Sequence, residues 1–132
     1  MTRPDYRLHF FDGVRHFNDR QFWEAHESWE ILWLEADSDL VQFLQGLIQL
    51  AAAYHHMQRG TLRGAPRLFD AALRRLAPFP LRFSGIDRSA AEESARADMA
   101  GLLDGLPPVL SNLPRLSILP TEETLVPPFE QW

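Results

Sequence analysis

The chain has 132 residues, of which 45% are apolar and 11% aromatic, with a formal net charge of −5. That profile belongs to one folded globular domain and not to a disordered chain. Cysteine is absent, which excludes disulfides, thiolate metal ligands and thiol catalysis. No stretch approaches membrane-spanning length and Met1–Tyr6 carries no apolar signal run, so a soluble cytoplasmic protein without a membrane partner is expected.

The elements follow in chain order. Pro4-Asp5 opens a helical pattern with apolar Tyr6, Phe10, Phe11, Val14 and Phe17 at three- and four-residue spacing. Asn18-Asp19 predicts a break and an N-cap for a Trp-rich helix over about 20–36. Asp37-Ser38-Asp39 predicts the cap of a third helix, 39–59, apolar almost all round and ended by Gly60. Gly64-Ala65-Pro66 starts a fourth, Arg-rich helix that stops near Pro78, and 79–85 reads as a loop. Asp87 predicts the cap of a fifth helix reaching about 104. From Pro107 onward six prolines in 26 residues forbid a long helix, so Leu116, Ile118, Leu125, Phe129 and Trp132 are expected on an extended tail lying across the body or a partner. The fold expected is all-α: a bundle of about five helices over 1–106, followed by a Pro-rich tail over 107–132.

The second helix holds the most unusual composition. Phe22 to Trp33 contains three tryptophans, one histidine and three glutamates. With His26 at zero on a helical wheel, Glu30 falls at about 40°, Trp33 at about −20° and Trp23 at about 60°, so an imidazole and a carboxylate sit within an aromatic face. Buried polar groups need partners, so this face builds either a structural polar network or a site. On the third helix Gln45, His56, Gln49 and Gln42 fall at about 0°, 20°, 40° and 60°, between apolar Val41, Ile48, Ala52 and Ala53. A tight connection makes the two helices antiparallel neighbours. His26 and Glu30 are therefore expected to face Gln45, Gln49 and His56, with Trp33 in the same pocket. Tyr54 reads as core, and His55, near −80°, reaches the pocket only if the helix rotates.

His26 and Glu30 at i and i+4 with His56 would suit a divalent metal (zinc, manganese or iron), although the spacing matches no established metal signature. Metal-assisted hydrolysis with Glu27 or Glu30 as base is then the reaction class least at odds with the residues. A metal-free small polar ligand and a self-satisfied structural network are the alternatives. Glu24 reads as solvated. His9 and His16, seven apart near Asp5 and Asp12, read as a solvated face.

Charge supplies a second class of hypothesis. Residues 1–58 carry four Arg against nine acids, 59–82 six Arg against Asp70 alone, and 83–132 three Arg against eight acids. Arg59, Arg63 and Arg67 surround a helix start, which suits an anion such as phosphate or RNA. No aromatic platform interleaves with them, so nucleic acid is the weaker reading; pairing with Asp87, Glu92, Glu93 and Asp98 or a homodimer contact is the plainer one. A non-catalytic interaction module using this patch or the tail is the corresponding functional alternative.

The runs Phe17-Asn18, Phe22-Trp23-Glu24-Ala25-His26-Glu27, Trp29-Glu30 and Trp33, then Gln45 to His56, then Gly64-Ala65, Leu68, Ala72 and Leu76 resemble the domain of unknown function 309 family over about 10–77. The family's His-x-x-x-Glu-x-x-Trp/Tyr pattern is matched by His26, Glu30 and Trp33. The resemblance implies a compact helical bundle and a suspected metal site at the motif, and it carries no biochemical activity.

Overall fold

The computed structural model describes residues 5–36 and 39–120. Five helices run in order: α1 (Tyr6–Asn18), α2 (Phe22–Glu35), α3 (Asp39–Arg59), α4 (Ala65–Leu76) and α5 (Ser89–Leu103). Each packs on its chain neighbour from α1 to α4, and α5 packs on α4, with α3 between α2 and α4. The all-α expectation holds, with one small addition noted below. No helix among the described residues is long and apolar enough to cross a membrane.

The core follows from the spacing of the aromatics. Tyr6, Phe10, Val14 and Phe17 return every three or four residues along α1, and all are buried. Phe17 meets Phe22 edge to face at 4.9 Å, and Phe22 stacks on Tyr54 at 5.4 Å, which ties α1, α2 and α3 together. Phe69 of α4 meets Tyr54 at 4.9 Å from the other side. Tyr54 is fully buried, as expected, and its hydroxyl donates to Asp98 of α5 at 2.7 Å. Burial pushes the Tyr54 phenol up and the Asp98 carboxyl up as well. Close helix approach needs a missing side chain at Gly46, where a Cβ would lie 2.7 Å from Leu76 Cγ of α4.

Two expected caps are made differently. Asn18 does not cap α2. It donates to the Leu116 carbonyl at 2.9 Å and accepts from the Leu116 N–H at 2.8 Å, and Asp19 closes α1 instead. Helix α2 starts at Phe22 after Gln21, with no side-chain cap. Asp87 stands one residue before the α5 cap position, Arg88, and accepts from the Ser89 N–H at 2.8 Å and the Ser89 hydroxyl at 2.6 Å. The expected cap at Asp37-Ser38 lies outside the described residues.

The 79–85 segment is not all loop. β1 (Arg82–Phe83) and β2 (Ile86–Asp87) form a hairpin, with Phe83 opposite Ile86. Its two-residue turn, Ser84-Gly85, has φ of 55° and 80°, as a type I′ turn requires. β3 (Ser117–Ile118) adds antiparallel to β2. The segment from Leu113 to Leu119 therefore lies along the body: Leu113, Leu116 and Leu119 are buried, and Arg20 donates to the Leu113 and Pro114 carbonyls at 2.6 and 3.0 Å. The tail residues Leu125, Phe129 and Trp132 lie outside the described residues.

Candidate functional site

The register of α2 against α3 is set by ring contacts. Phe22 stacks on Tyr54, and Trp23 meets His55 at 5.2 Å. Because the helices are antiparallel, one or two turns further along α2 correspond to the same distance back along α3. Gln49 is then level with the turn between His26 and Glu30, and Gln45 is level with Trp33. On α3 the half-buried positions 45, 49, 52, 55 and 56 form one stripe, which meets α2 at the Trp23–His55 contact. By that register Trp23, His26, Glu30 and Trp33 of α2 run along the seam with α3, opposite Gln45, Gln49, Ala52 and His55; this seam is the candidate groove, and the Trp23–His55 ring contact crosses it.

His26 lies flat on Trp23, with ring centroids 4.8 Å apart and planes within 9°. Its side chain is only 19% exposed, whereas Glu30 is about half exposed. The His26 Nδ1 to Glu30 Oε2 separation is 3.5 Å, within ion-pair range yet without hydrogen-bond geometry, so Nδ1 has no hydrogen-bond partner. Three other buried groups share this condition: Trp33 Nε1, a donor, Gln49 Oε1, an acceptor, and the Ser84 hydroxyl in the turn of the β1–β2 hairpin. Such atoms are uncommon in folded proteins, and each costs free energy unless something satisfies it.

The expected set of His26, Glu30 and His56 is not assembled. Among the described residues no three His, Asp or Glu side chains gather as a metal-binding group. His56 Nδ1 lies 2.7 Å from the Thr61 hydroxyl, and the Thr61 N–H donates to the His56 carbonyl, so this histidine finishes α3 beside the left-handed Gly60. Gln42 does not join the stripe either; it accepts from Arg75 of α4. His55 reaches the groove without any rotation of α3, through Trp23. Its wheel angle sets it off the Gln stripe, and the same geometry puts Trp23 on an aromatic face, whereas 47% of Trp23 is exposed. Glu24 and Glu27 are exposed. His16 Nδ1 lies 2.7 Å from Gln21 Oε1.

Burial lowers the His55 pKa, and the positive neighbours Arg59, His56 and His26 lower it further, against an opposing pull from Glu24. A base whose pKa falls on folding binds fewer protons in the native state than in the unfolded one, so stability rises with pH through the histidine range. Between about pH 5.5 and 7.5, His55→Gln is expected to flatten the rise of Tm with pH. An unchanged slope would remove His55 from this cluster.

The Arg patch differs from expectation in another way. Arg59, Arg63 and Arg67 are exposed and make no hydrogen bond or ion pair with a described residue. Asp87 pairs with Arg82, Glu92 with Arg88 and Arg96, and Asp98 with Tyr54. The expected pairing of Arg59, Arg63 and Arg67 with the acids of α5 is thus not formed.

Residues 10–68 match the family model described as Domain of unknown function (DUF309). The matched span holds both walls of the groove. Among curated proteins none matches the chain.

Proposed function

We propose that this chain uses the groove between α2 and α3 to bind a small polar ligand. The observation that carries the reading is that three buried polar atoms on these two packed helices, His26 Nδ1, Trp33 Nε1 and Gln49 Oε1, have no hydrogen-bond partner. A ligand presenting an acceptor to the Trp33 N–H and a donor to Gln49 would satisfy them, with Glu30 offering a charged acceptor at the mouth. A divalent metal would find one imidazole, one carboxylate and one amide oxygen there. That falls short of the three His, Asp or Glu ligands of a protein-built metal site, and no hydrolytic step is derived from it.

The test is the Trp33 indole N–H resonance of the labelled full-length protein, titrated with acetamide, glycine, inorganic phosphate and zinc chloride, the last also with chelator. A saturable shift of this resonance together with those of His26 and Gln49 is the expected result, and the responding probe gives the ligand class. No shift with any probe would overturn the reading.

A second measurement separates a binding groove from a structural network. If Gln49 Oε1 is unsatisfied in the free protein, Gln49→Met removes a buried orphan acceptor and should raise stability by about 1 kcal/mol while abolishing the indole response. A network member would show the opposite sign, a loss of about 1–3 kcal/mol in urea unfolding.

A further inference from the structure

A second concavity, of about 260 Å³, lies between α5, the end of α3 and the loop after α5. Met57, Gly101, Leu102, Leu106 and Val109 supply most of its lining, and no residue of the α2–α3 groove is among them. Asp98 is the single titratable side chain in that lining. Its Oδ2 accepts from the buried Tyr54 hydroxyl, and its carboxylate makes no other hydrogen bond or ion pair with a described residue. Leu106 and Val109, at the rim, are 58% and 62% exposed, so the apolar wall stands open.

These features specify an occupant in two parts. The walls favour an apolar body, and the carboxylate, which holds one donor where it has room for several, favours a cationic N–H group. Size sets the scale: a dry cavity of roughly 150 Å³ accepts benzene, so this one admits a ring with a short arm. Burial at Asp98 strengthens any charge-assisted bond made there. We infer that the pocket binds a small amphiphilic primary amine, with its ammonium group on Asp98 and its apolar body against Met57, Leu102, Leu106 and Val109.

The probe is 2-phenylethylamine, with 2-phenylethanol and 3-phenylpropionate as neutral and anionic counterparts. The readout is the methyl spectrum of Met57 and Leu102 in the full chain. The amine is expected to give saturable shifts at concentrations at least about tenfold lower than the alcohol, and the acid none. Asp98→Asn keeps an acceptor for Tyr54 and should reduce the amine to the level of the alcohol. At Gly101 a Cβ would have its nearest neighbour at 4.0 Å, Leu106 Cδ1, so a side chain can start there, and Gly101→Leu should occupy the pocket and abolish the shifts. The inference falls if the alcohol matches the amine, if the acid binds, if Gly101→Leu leaves the shifts intact, or if none of the probes moves either methyl. The Trp33 indole reports on the other groove and is unaffected by failure here.

Discussion

Replacing Arg88 with methionine is expected to cost about 3–5 kcal/mol, a large share of the stability of a domain this size. Arg88 and Glu92 are buried to within a few per cent, which makes them unlike every other ion pair described in the protein. The Arg88 Nε donates to Glu92 at 2.8 Å, Nη1 to the Pro80 carbonyl at 2.8 Å, and Nη2 to the Leu76 and Phe79 carbonyls, each at 3.1 Å. Its guanidinium also lies 5.4 Å from the centre of the Phe43 ring. One side chain thus closes the C-terminal end of α4, holds the turn leading to the hairpin and anchors the start of α5. Methionine fills the space but leaves Glu92 buried against a single partly exposed partner, Arg96 at 3.3 Å, and removes the donor to the Pro80 and Phe79 carbonyls, while the Leu76 carbonyl keeps the Phe79 N–H. Lysine cannot substitute, because one ammonium group does not reproduce the planar spread of donors that meets four acceptors. Urea unfolding measures the loss. The double variant Arg88→Met with Glu92→Leu should recover at least about 1 kcal/mol, since it removes the stranded carboxylate. An Arg88→Met variant within 1 kcal/mol of the parent would contradict this account.

Arg88 also shows where sequence reading runs out. Five helices were legible because apolar residues recur at three- and four-residue spacing and because Gly60, Pro66 and Pro78 punctuate them. Nothing local distinguishes Arg88 from the twelve other arginines, and its burial depends on carbonyls that the fold delivers from Leu76 to Pro80. The hairpin was missed for a related reason: strands of two residues are too short to show a period-two pattern. Asn18 read as a helix cap, yet its partner is Leu116, 98 positions away.

The groove was half legible. The wheel puts His26, Glu30 and Trp33 on one face, and Gln45 and Gln49 on one stripe of α3. It could not say which border of that stripe meets α2. The structure turns the Gln42 border toward α4, where Arg75 holds it, and the His55 border toward Trp23. Adjacent residues on a helix differ by about 100°, so the border that meets α2 decides between His55 and His56. Local chemistry then settled His56, which serves the helix end through Thr61.

Gly13→Ala is expected to cost about 3 kcal/mol although it places a better helix former in the middle of α1. A Cβ at position 13 would fall 2.2 Å from Trp29 Nε1 and 2.6 Å from Trp29 Cδ1 and Cε2. The indole has no room to retreat: it is fully buried, packs near Phe17 at 6.2 Å, and donates from Nε1 to the Phe10 carbonyl at 3.0 Å. Overpacking of about 1–3 kcal/mol adds to the loss of that buried bond, and the gain of about 1 kcal/mol in helix propensity offsets only part. A double-mutant cycle makes the mechanism visible. Phenylalanine at 29 lacks the Nε1 atom of closest approach and the bond that pins the ring to Phe10, so in the Trp29→Phe background Gly13→Ala should cost less than in the parent, by at least about 1 kcal/mol. Strict additivity in urea unfolding would instead mean that α1 and α2 separate freely. The same step links packing to the groove, because α2 carries Trp29 on its buried side and His26, Glu30 and Trp33 along the groove. Forcing α2 away from α1 by the width of a methyl group displaces those residues against Gln45 and Gln49. The Trp33 indole response should therefore weaken in Gly13→Ala and return in the double variant, which a purely local clash at α1 would not produce.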